Sequence, residues 1–274
     1  MSLKHIAKET LAILEAGGFE SSEGAWVELG DAQAKAVAGT FVLTPERGAA
    51  LLSEHGPGGS APTLEVSAER TQEAARRLVE DEGWEDLVVL NFASARNPGG
   101  GFIRGAKAQE EDLARCSGLY PCLVGQDLYY ETNRQQDSML YTDLLIYSPR
   151  VPWFRTRSRT MLDRVFLASV ITAPAPNAGQ ALRRDPQAGP AIEAALRHRA
   201  GLVLALARVQ GHRNLLLGAW GCGVFMNDPS RVADAFGTWL TSETFAGDFD
   251  RVAFAIYDRS RGHTVHAAFE EYFA

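Results

Sequence analysis

The chain has 274 residues, 46% of them hydrophobic, which is enough to bury a full core and excludes a disordered chain as the default. Its 27 basic and 34 acidic residues give a formal net charge of −7, which opposes nucleic acid binding through a broad positive field. No apolar run approaches the roughly 20 residues of a membrane-spanning helix. We therefore expect neither a nucleic acid nor a membrane partner, and an anionic ligand needs a local site.

The three cysteines, Cys116, Cys122 and Cys222, include no CxxC pair. Neither a disulfide framework nor a cysteine zinc site is indicated, and a reducing compartment fits best. The first residues read as a short amphipathic helix without the apolar core and cleavage site of a signal peptide. These features predict a cytoplasmic protein.

From about residue 40 onward, short β-branched runs alternate with longer amphipathic stretches, a pattern typical of a sheet covered by helices. The predicted strands are 40–43, 63–66, 87–92, 143–147, 165–172, 214–219 and 251–257. The predicted helices are 4–15, 69–82, 109–133, 190–210, 229–244 and 263–273. The alternation predicts a single α/β domain, 1–274, with an N-terminal helical extension over about residues 1–38.

Three segments interrupt this alternation. Residues 55–63 and 174–190 are rich in glycine and proline and are predicted to be loops within the domain. The second follows a strand end, where functional loops of α/β folds gather, and its role is open. The arginines of residues 150–159 are interpreted as a solvated surface, with local guidance of a polyanion as the alternative.

The first motif is a buried-strand pattern that runs into Gly99, Gly100 and Gly101 and then into Gln109-Glu110-Glu111 at a predicted helix start. Consecutive glycines let the backbone approach a ligand and supply N–H donors, which suits a ribose or a phosphate. Alone, the glycines would indicate an ordinary turn, and acids are common in a first helical turn. Together they favour catalysis, because the glycines would set a sugar ring beside the carboxylates.

Successive helical residues diverge by about 100° around the axis. Glu110 and Glu111 therefore do not flank one glycosidic bond, as the usual pair of carboxylates about 5 to 9 Å apart would. We expect one glutamate to carry out most of the proton transfer and the other to orient a substrate hydroxyl.

The second motif, residues 215–232, passes from an apolar strand through a glycine-rich turn into a helix. The backbone amides of Gly221 to Phe225 are predicted to bind a pyrophosphate, and Asn227 or Asp228 to cap the helix. Phe225 is either a stacking platform or a core residue. A nucleophilic Cys222 is disfavoured because no histidine lies nearby in sequence.

The spacing of the histidines does not indicate a metal site. His263 and His266 are three residues apart near a predicted helix start, without an obvious third ligand. We expect a solvated helix face there, no metal and no cofactor.

Together, NPGGGFIRGAKAQEE and GAWGCGVF resemble the microbial branch of the poly(ADP-ribose) glycohydrolases, whose catalytic domain is a macrodomain with a GGG-x(6–8)-QEE signature. Here seven residues, Phe102 to Ala108, separate the glycines from Gln109. The resemblance runs from roughly residue 10 to the C-terminus. It implies a macrodomain-like three-layer α/β/α fold with a mixed central sheet.

The resemblance also implies a site. Glu111 would be the catalytic acid/base, kept protonated by partial burial and by neighbouring Glu110, and Glu110 would hold a hydroxyl of the adjoining ribose. The implied substrate-binding residues are Asn97, Gly99, Gly100, Gly101 and Gln109 around the ribose, and Gly221, Cys222, Gly223, Val224 and Phe225 around the diphosphate.

The implied reaction is hydrolysis of the ribose–ribose O-glycosidic bonds of poly(ADP-ribose), mainly from the polymer end, with release of ADP-ribose. The implied partners are the polymer and poly-ADP-ribosylated proteins, met by a monomer that reverses this modification in the DNA damage response. One alternative is a macrodomain reader that binds ADP-ribose without cutting it, against which the glutamate pair argues. Another is a mono-ADP-ribosyl or O-acetyl-ADP-ribose hydrolase, which would keep the same glycine loops. A Rossmann dehydrogenase is least favoured, because no GxGxxG follows an early strand.

Overall fold

A computed structural model describes residues 2–157 and 160–274. Its strands are β1 (Gly18–Glu20), β2 (Trp26–Glu28), β3 (Phe41–Leu43), β4 (Thr63–Ser67), β5 (Leu87–Phe92), β6 (Leu145–Arg157), β7 (Thr160–Ala173), β8 (Asn214–Gly218) and β9 (Arg251–Ala255). The central sheet is mixed and has seven strands in the order β3-β6-β7-β5-β8-β9-β4. Strands β7, β5, β8, β9 and β4 are parallel, whereas β3 and β7 each run antiparallel to β6. Each of β3 to β9 overlaps one predicted strand, so the presence of all seven is confirmed, although β6 and β7 extend well beyond the predicted 143–147 and 165–172.

The helices cover both faces of this sheet. They are α1 (Leu3–Ala16), α2 (Ala32–Gly39), α3 (Pro45–Leu52), α4 (Thr71–Arg76), α5 (Gln109–Cys116), α6 (Leu119–Leu123), α7 (Asp127–Gln135), α8 (Ala178–Arg184), α9 (Gly189–Val209), α10 (Pro229–Leu240) and α11 (Thr264–Phe273). A π-helical turn, Arg77–Asp81, extends α4. No helix among these described residues is long and apolar enough to cross a membrane.

Strand β5 shows why there are three layers. Its apolar residues alternate between the two faces, as the period of two in a strand requires. Val88 and Leu90 pack in the core beneath α3 and α8 to α11, whereas Leu87 and Val89 pack in the core beneath α2 and α4 to α7. A strand buried on both faces reads as a continuous apolar run. The α/β/α fold with a mixed sheet is confirmed.

The N-terminal segment is not only helical. Helices α1 and α2 flank a two-stranded antiparallel sheet, β1 (Gly18–Glu20) and β2 (Trp26–Glu28). Phe19 and Leu29 pack against Phe154 of β6. Strands of three residues are too short to show a period of two, which is why the sequence pattern indicated helix alone.

The predicted helix 109–133 is wrong as one element, because α5, α6 and α7 occupy this part of the chain. Ser117 adopts extended backbone and bridges to Trp153 of β6, and the N–H of Gly118 donates to the carbonyl of Pro152 at 2.9 Å. These tertiary bonds end α5 and turn the chain, although the amphipathic pattern continues through the break.

Two of the three interrupting segments differ from expectation. Residues 174–190 contain α8, which Asn177 caps through a bond from the N–H of Gln180. Residues 151–156 are not a solvated surface but a buried part of β6, and the Arg155 side chain is almost fully buried. Residues 158 and 159 of the arginine run lie outside the described part of the chain. Residues 55–62 form the expected loop.

Candidate active site

The two glycine motifs meet in one cavity of about 610 Å³, within the range of small-molecule sites. It lies at the carboxyl ends of β5, β8 and β9, where Phe92, Ala219 and Ala255 line it. These strands are parallel neighbours, so the loops that follow them emerge at the same edge of the sheet. The fold therefore joins residues 99–111 to residues 221–225, as the sequence predicted.

Glu110 lies beneath the cavity on the first turn of α5, almost fully buried. Its Oε2 accepts a hydrogen bond from the N–H of Ser94 at 2.7 Å, and its Oε1 accepts one from Nδ2 of Asn91 at 3.2 Å. Burial raises the pKa of Glu110 to about 8, the charge of Glu111 adds to the rise, and the bonds from Ser94 and Asn91 oppose it. Burial therefore favours the neutral form of the Glu110 carboxyl.

Glu111 is held differently. Its Oε1 accepts a hydrogen bond from the N–H of Gly101 at 2.8 Å, whereas its Oε2 is buried and has no hydrogen-bond partner among the described residues. A buried carboxyl oxygen without a partner is costly and requires an explanation, such as a catalytic role or a ligand. The carboxyl is thus fixed at one oxygen and unpaired at the other, beside the glycine loop.

Gly100 shows why a glycine is required at this point. Its φ is +60°, and a Cβ there would clash with Oε1 of Glu111 and lie 3.1 Å from Oε2 of Glu110. Both carboxyl groups therefore lie on the same side of the loop, as expected for successive helical residues and unlike a pair that flanks a bond.

Gln109 fixes the first turn of α5 against β5. Strand β8 pairs with β5 only as far as Val89. Beyond Val89, the side-chain amide of Gln109 takes the place of a neighbouring strand and bonds to the β5 backbone. Its Oε1 accepts from the N–H of Phe92 at 2.9 Å, and its Nε2 donates to the carbonyl of Leu90 at 2.9 Å. Gln109 lines the cavity, but these bonds occupy its amide.

The remaining residues of the first loop divide into two groups. Asn97 is exposed and lines the cavity beside Gly100 and Gly101, and its backbone N–H donates to Oγ of Ser94 at 3.1 Å. Gly99 lies behind them, buried, where a Cβ would lie 3.0 Å from the ring of Tyr120. The structure thus brings Asn97, Gly100 and Gly101 to the cavity and turns Gly99 towards the protein.

The second loop forms the opposite wall, with Gly221, Cys222, Gly223, Val224 and Phe225 all lining the cavity. Its shape depends on Asn227, whose buried Nδ2 donates to the carbonyls of Pro176 at 2.8 Å and of Gly221 at 3.2 Å. The N–H of Gly179 donates to the carbonyl of Phe225 at 3.0 Å. The segment 174–190, whose role the sequence left open, therefore supports this loop from behind.

Three further expectations concern this loop. Asp228 caps α10 by accepting from the N–H groups of Ser230 and Arg231, as predicted. Phe225 is half-buried, with its ring centroid 5.9 Å from that of Tyr141. Burial raises the pKa of Cys222 to about 12, which disfavours the thiolate that a nucleophilic cysteine needs.

Some residues of the site escaped the sequence analysis. Asn91 and Ser94 lie at and just after the end of a strand that was predicted, and strand ends at one sheet edge were the signal that would have found them. Tyr257 lines the cavity and carries the guanidinium of Arg70 over its ring at 4.0 Å. Arg70 also pairs with Asp112 at 3.2 Å. No sequence signal joins Arg70 to Tyr257, because they follow strands far apart in the chain.

Comparison with known proteins identifies this arrangement. A family model described as microbial-type PARG, catalytic domain, matches residues 7–156. A poly(ADP-ribose) glycohydrolase structure from Thermomonospora curvata is 45% identical, with a TM-score of 0.93 and 98% of each chain covered. A second structure of it, bound to the inhibitor ADP-HPD, is 44% identical with a TM-score of 0.90 over 98% of each chain.

A third similar structure is a poly(ADP-ribose) glycohydrolase from Deinococcus radiodurans in complex with ADP-ribose. It is 46% identical, with a TM-score of 0.81, and the match covers 88% of this chain and 96% of that one. No curated protein sequence matches the chain. The family match and these near-full-length similarities agree with the paired motifs and their meeting in one cavity, and the chain belongs to the microbial-type poly(ADP-ribose) glycohydrolase (PARG) family, a family of glycoside hydrolases.

Proposed function

We propose that the chain hydrolyses the ribose–ribose bond at the end of poly(ADP-ribose), releasing ADP-ribose, with Glu111 as the acid/base. The observation that carries the assignment is the Glu111 carboxyl, which is fixed by Gly101 at one oxygen and unpaired at the other. Among the carboxyl groups that line the cavity, Glu110 has both oxygens bound by Ser94 and Asn91. Glu111 is therefore the better group to exchange a proton with substrate.

The two loops would bind different parts of the terminal unit. The amides of residues 221–225 suit the diphosphate, because successive backbone N–H groups form an anion-binding concavity. Asn97, Gly100 and Gly101 suit the ribose whose anomeric carbon is attacked, since they lie beside Glu111 and Gly100 presents no Cβ. This orientation sets the scissile bond next to the Glu111 carboxyl.

The reaction then needs two proton transfers. In the first, Glu111 donates its proton to the bridging oxygen as the bond from that oxygen to the anomeric carbon breaks, and the shortened polymer leaves with a free ribose hydroxyl. In the second, the Glu111 carboxylate takes a proton from a water whose oxygen bonds to the anomeric carbon. The substrate's own diphosphate offsets the positive charge that develops on the sugar.

Glu110 would act as a neutral neighbour. Burial raises its pKa, and its bonds to Ser94 and Asn91 fix its position. From there it orients a hydroxyl of the adjoining ribose. This division of roles agrees with the placement of both carboxyl groups on one side of Gly100.

The size of the cavity supports cleavage at the polymer end. A volume of about 610 Å³ is that of a site for one ligand of ordinary size, so it suits one terminal unit. We further propose that the chain acts as one monomeric domain on poly-ADP-ribosylated proteins in the cytoplasm. The three unpaired cysteines support a reducing compartment.

The test measures how the wild-type chain acts on two substrates and whether it binds the free product. We expect ADP-ribose release from purified poly(ADP-ribose), slower or no release from a mono-ADP-ribosylated protein, and binding of free ADP-ribose. Binding without release from either substrate would make the chain a reader. Release from the mono-modified protein alone would make it a hydrolase of the protein linkage.

A further inference from the structure

The bond that is cut lies at Glu111, so the polymer that remains must leave the cavity on that side. The rim there is the spacer between the first glycine loop and α5, residues 102–108. Phe102 anchors it, fully buried against Ala7 and Ala114. Most of the remaining spacer residues are exposed, among them Arg104 and Lys107, which also line the cavity. Two cationic side chains thus stand where the leaving polymer must pass.

These cations are unpaired. Neither Arg104 nor Lys107 makes an ion pair with any residue in 2–157 or 160–274, whereas Arg70 at the cavity pairs with Asp112 and Arg213 on the surface pairs with Asp250. An unpaired cation keeps its full charge available for an anionic ligand. The chain has a net charge of −7, so these groups provide positive charge beside the site in a protein that is negative as a whole.

Helix α1 continues this positive surface. Gly105 packs closely on the first turn of α1, where a Cβ would lie 3.0 Å from the backbone nitrogen of Lys4. Lys4 and Lys8 are exposed and one turn apart, so they share a face of the helix. Like the spacer cations, they make no ion pair with a described residue.

We propose that Arg104 and Lys107, continued by Lys4 and Lys8, form an exit surface that binds the diphosphate groups of the polymer beyond the scissile bond. The inference rests on the proposed function. The bridging oxygen belongs to the adenosine ribose of the next unit, and that ribose carries its own diphosphate, so two negative charges lie close to the spacer when the terminal unit is bound. The exit surface holds the chain that leaves, and the second glycine loop holds the unit that is released.

Arg155, in the arginine run that the sequence offered for a polyanion, does not serve this purpose. Arg155 is buried, with Nη1 donating to Oγ1 of Thr10 at 2.7 Å and Nη2 pairing with Glu9 at 2.8 Å. It therefore ties α1 to β6. Among the described residues that line the cavity, the cations without an ion pair come from the spacer instead.

The test uses the paired change Arg104→Glu with Lys107→Glu. The matched control is Arg47→Glu with Lys35→Glu, which alters the net charge equally at exposed residues that do not line the cavity. Both variants are assayed on long poly(ADP-ribose) and on a single ADP-ribosyl unit with a neutral aryl leaving group. The aryl substrate fills the site but has no polymer beyond the bond.

We expect the spacer variant to raise KM for the long polymer about tenfold and to flatten the dependence of log KM on log salt by about one unit for each lost phosphate contact. Its kcat/KM on the aryl substrate should stay within about twofold of wild type, which also shows that it folds. The control should match wild type on both substrates. Arg104→Gln with Lys107→Gln should give a smaller rise in the polymer KM.

Unchanged KM and salt dependence on the long polymer would overturn the exit surface. Equal losses on the two substrates would also overturn it, because the cations would then serve the bound unit or the fold. If the wild-type chain released nothing from the polymer, the proposed function itself would fail, which is a different result.

Discussion

The N–H of Gly101 donates to Oε1 of Glu111 at 2.8 Å, so the loop that would receive the sugar also positions the carboxyl that would act on it. The segment between Gly101 and Glu111 is held in place at two points. Phe102 is buried near its start, and the side chain of Gln109 fixes the start of α5 on β5. A change in the loop should therefore disturb the Glu111 carboxyl directly.

Gly100→Ala tests this coupling. The new Cβ would displace the Glu111 carboxyl, and we expect turnover of poly(ADP-ribose) to fall by about 10² or more, as for loss of a general acid. The matched control is Gly83→Ala, where φ is also positive, +68°, but no atom lies within 4 Å of the new Cβ. Similar turnover of the two variants, with equal melting temperatures, would contradict the coupling.

The raised pKa of Glu110 predicts how stability depends on pH. In the unfolded chain this carboxyl has its ordinary pKa of 4.5, whereas burial in the folded chain raises the pKa to about 8. Between these values the unfolded state binds fewer protons, so the free energy of unfolding falls as pH rises from about 4.5 to about 8 and this contribution levels off above. In the Glu110→Gln variant, this contribution to the pH dependence of the free energy of unfolding should be absent.

The measurement is thermal unfolding of the wild type and of Glu110→Gln at several pH values across this window. The comparison concerns the change with pH and not the absolute stability, since the amide also alters the bonds to Ser94 and Asn91. Parallel curves for the two proteins would show that Glu110 is already ionised in the folded state.

The same group should shape the activity profile. If neutral Glu110 is the active form, as proposed, kcat/KM falls on the alkaline side with an apparent pKa near 8. The bond from Asn91 favours the ionised carboxylate, so Asn91→Ala should move that limb to higher pH. A lower rate with an unmoved limb would mean that Asn91 only supports the fold.

Asn227 should matter for binding more than for chemistry. Its side chain joins the second loop to the segment before α8, and Asn227→Ala would leave two carbonyls without this donor, at a cost of about 1 to 3 kcal/mol. We expect a weaker ADP-ribose affinity by calorimetry. Asp228→Ala is the control, since loss of its cap should lower stability by about 1 kcal/mol without weakening affinity.

The predictable parts of this protein are those where the information is local. Buried strands such as β5 read as apolar runs, and the chemistry of the site is concentrated in two short motifs. The end of α5 was not predictable, because the bridge from Ser117 to Trp153 is made by residues distant in sequence. The supports of the site, such as Asn91 beneath Glu110 and Asn227 behind Gly221, depend on the same long-range convergence.

The cations near the site were also not predictable from local sequence, because a conspicuous local pattern was misleading. The run 150–159 is the densest cluster of arginines in the sequence, yet β6 carries Arg155 into the interior. Arg104 and Lys107 are separated by two small residues in an unremarkable spacer, and only the fold places them at the cavity.

The most direct test of the account is ADP-ribose release from purified poly(ADP-ribose) by the wild type, Glu111→Gln and Glu110→Gln, with ADP-ribose affinity measured for each. We predict that Glu111→Gln loses about 10² to 10⁴ or more in turnover, because the same group also activates water, while it still binds ADP-ribose. Near wild-type turnover by Glu111→Gln, together with loss of turnover by Glu110→Gln, would contradict the assignment and reverse the roles of the two glutamates.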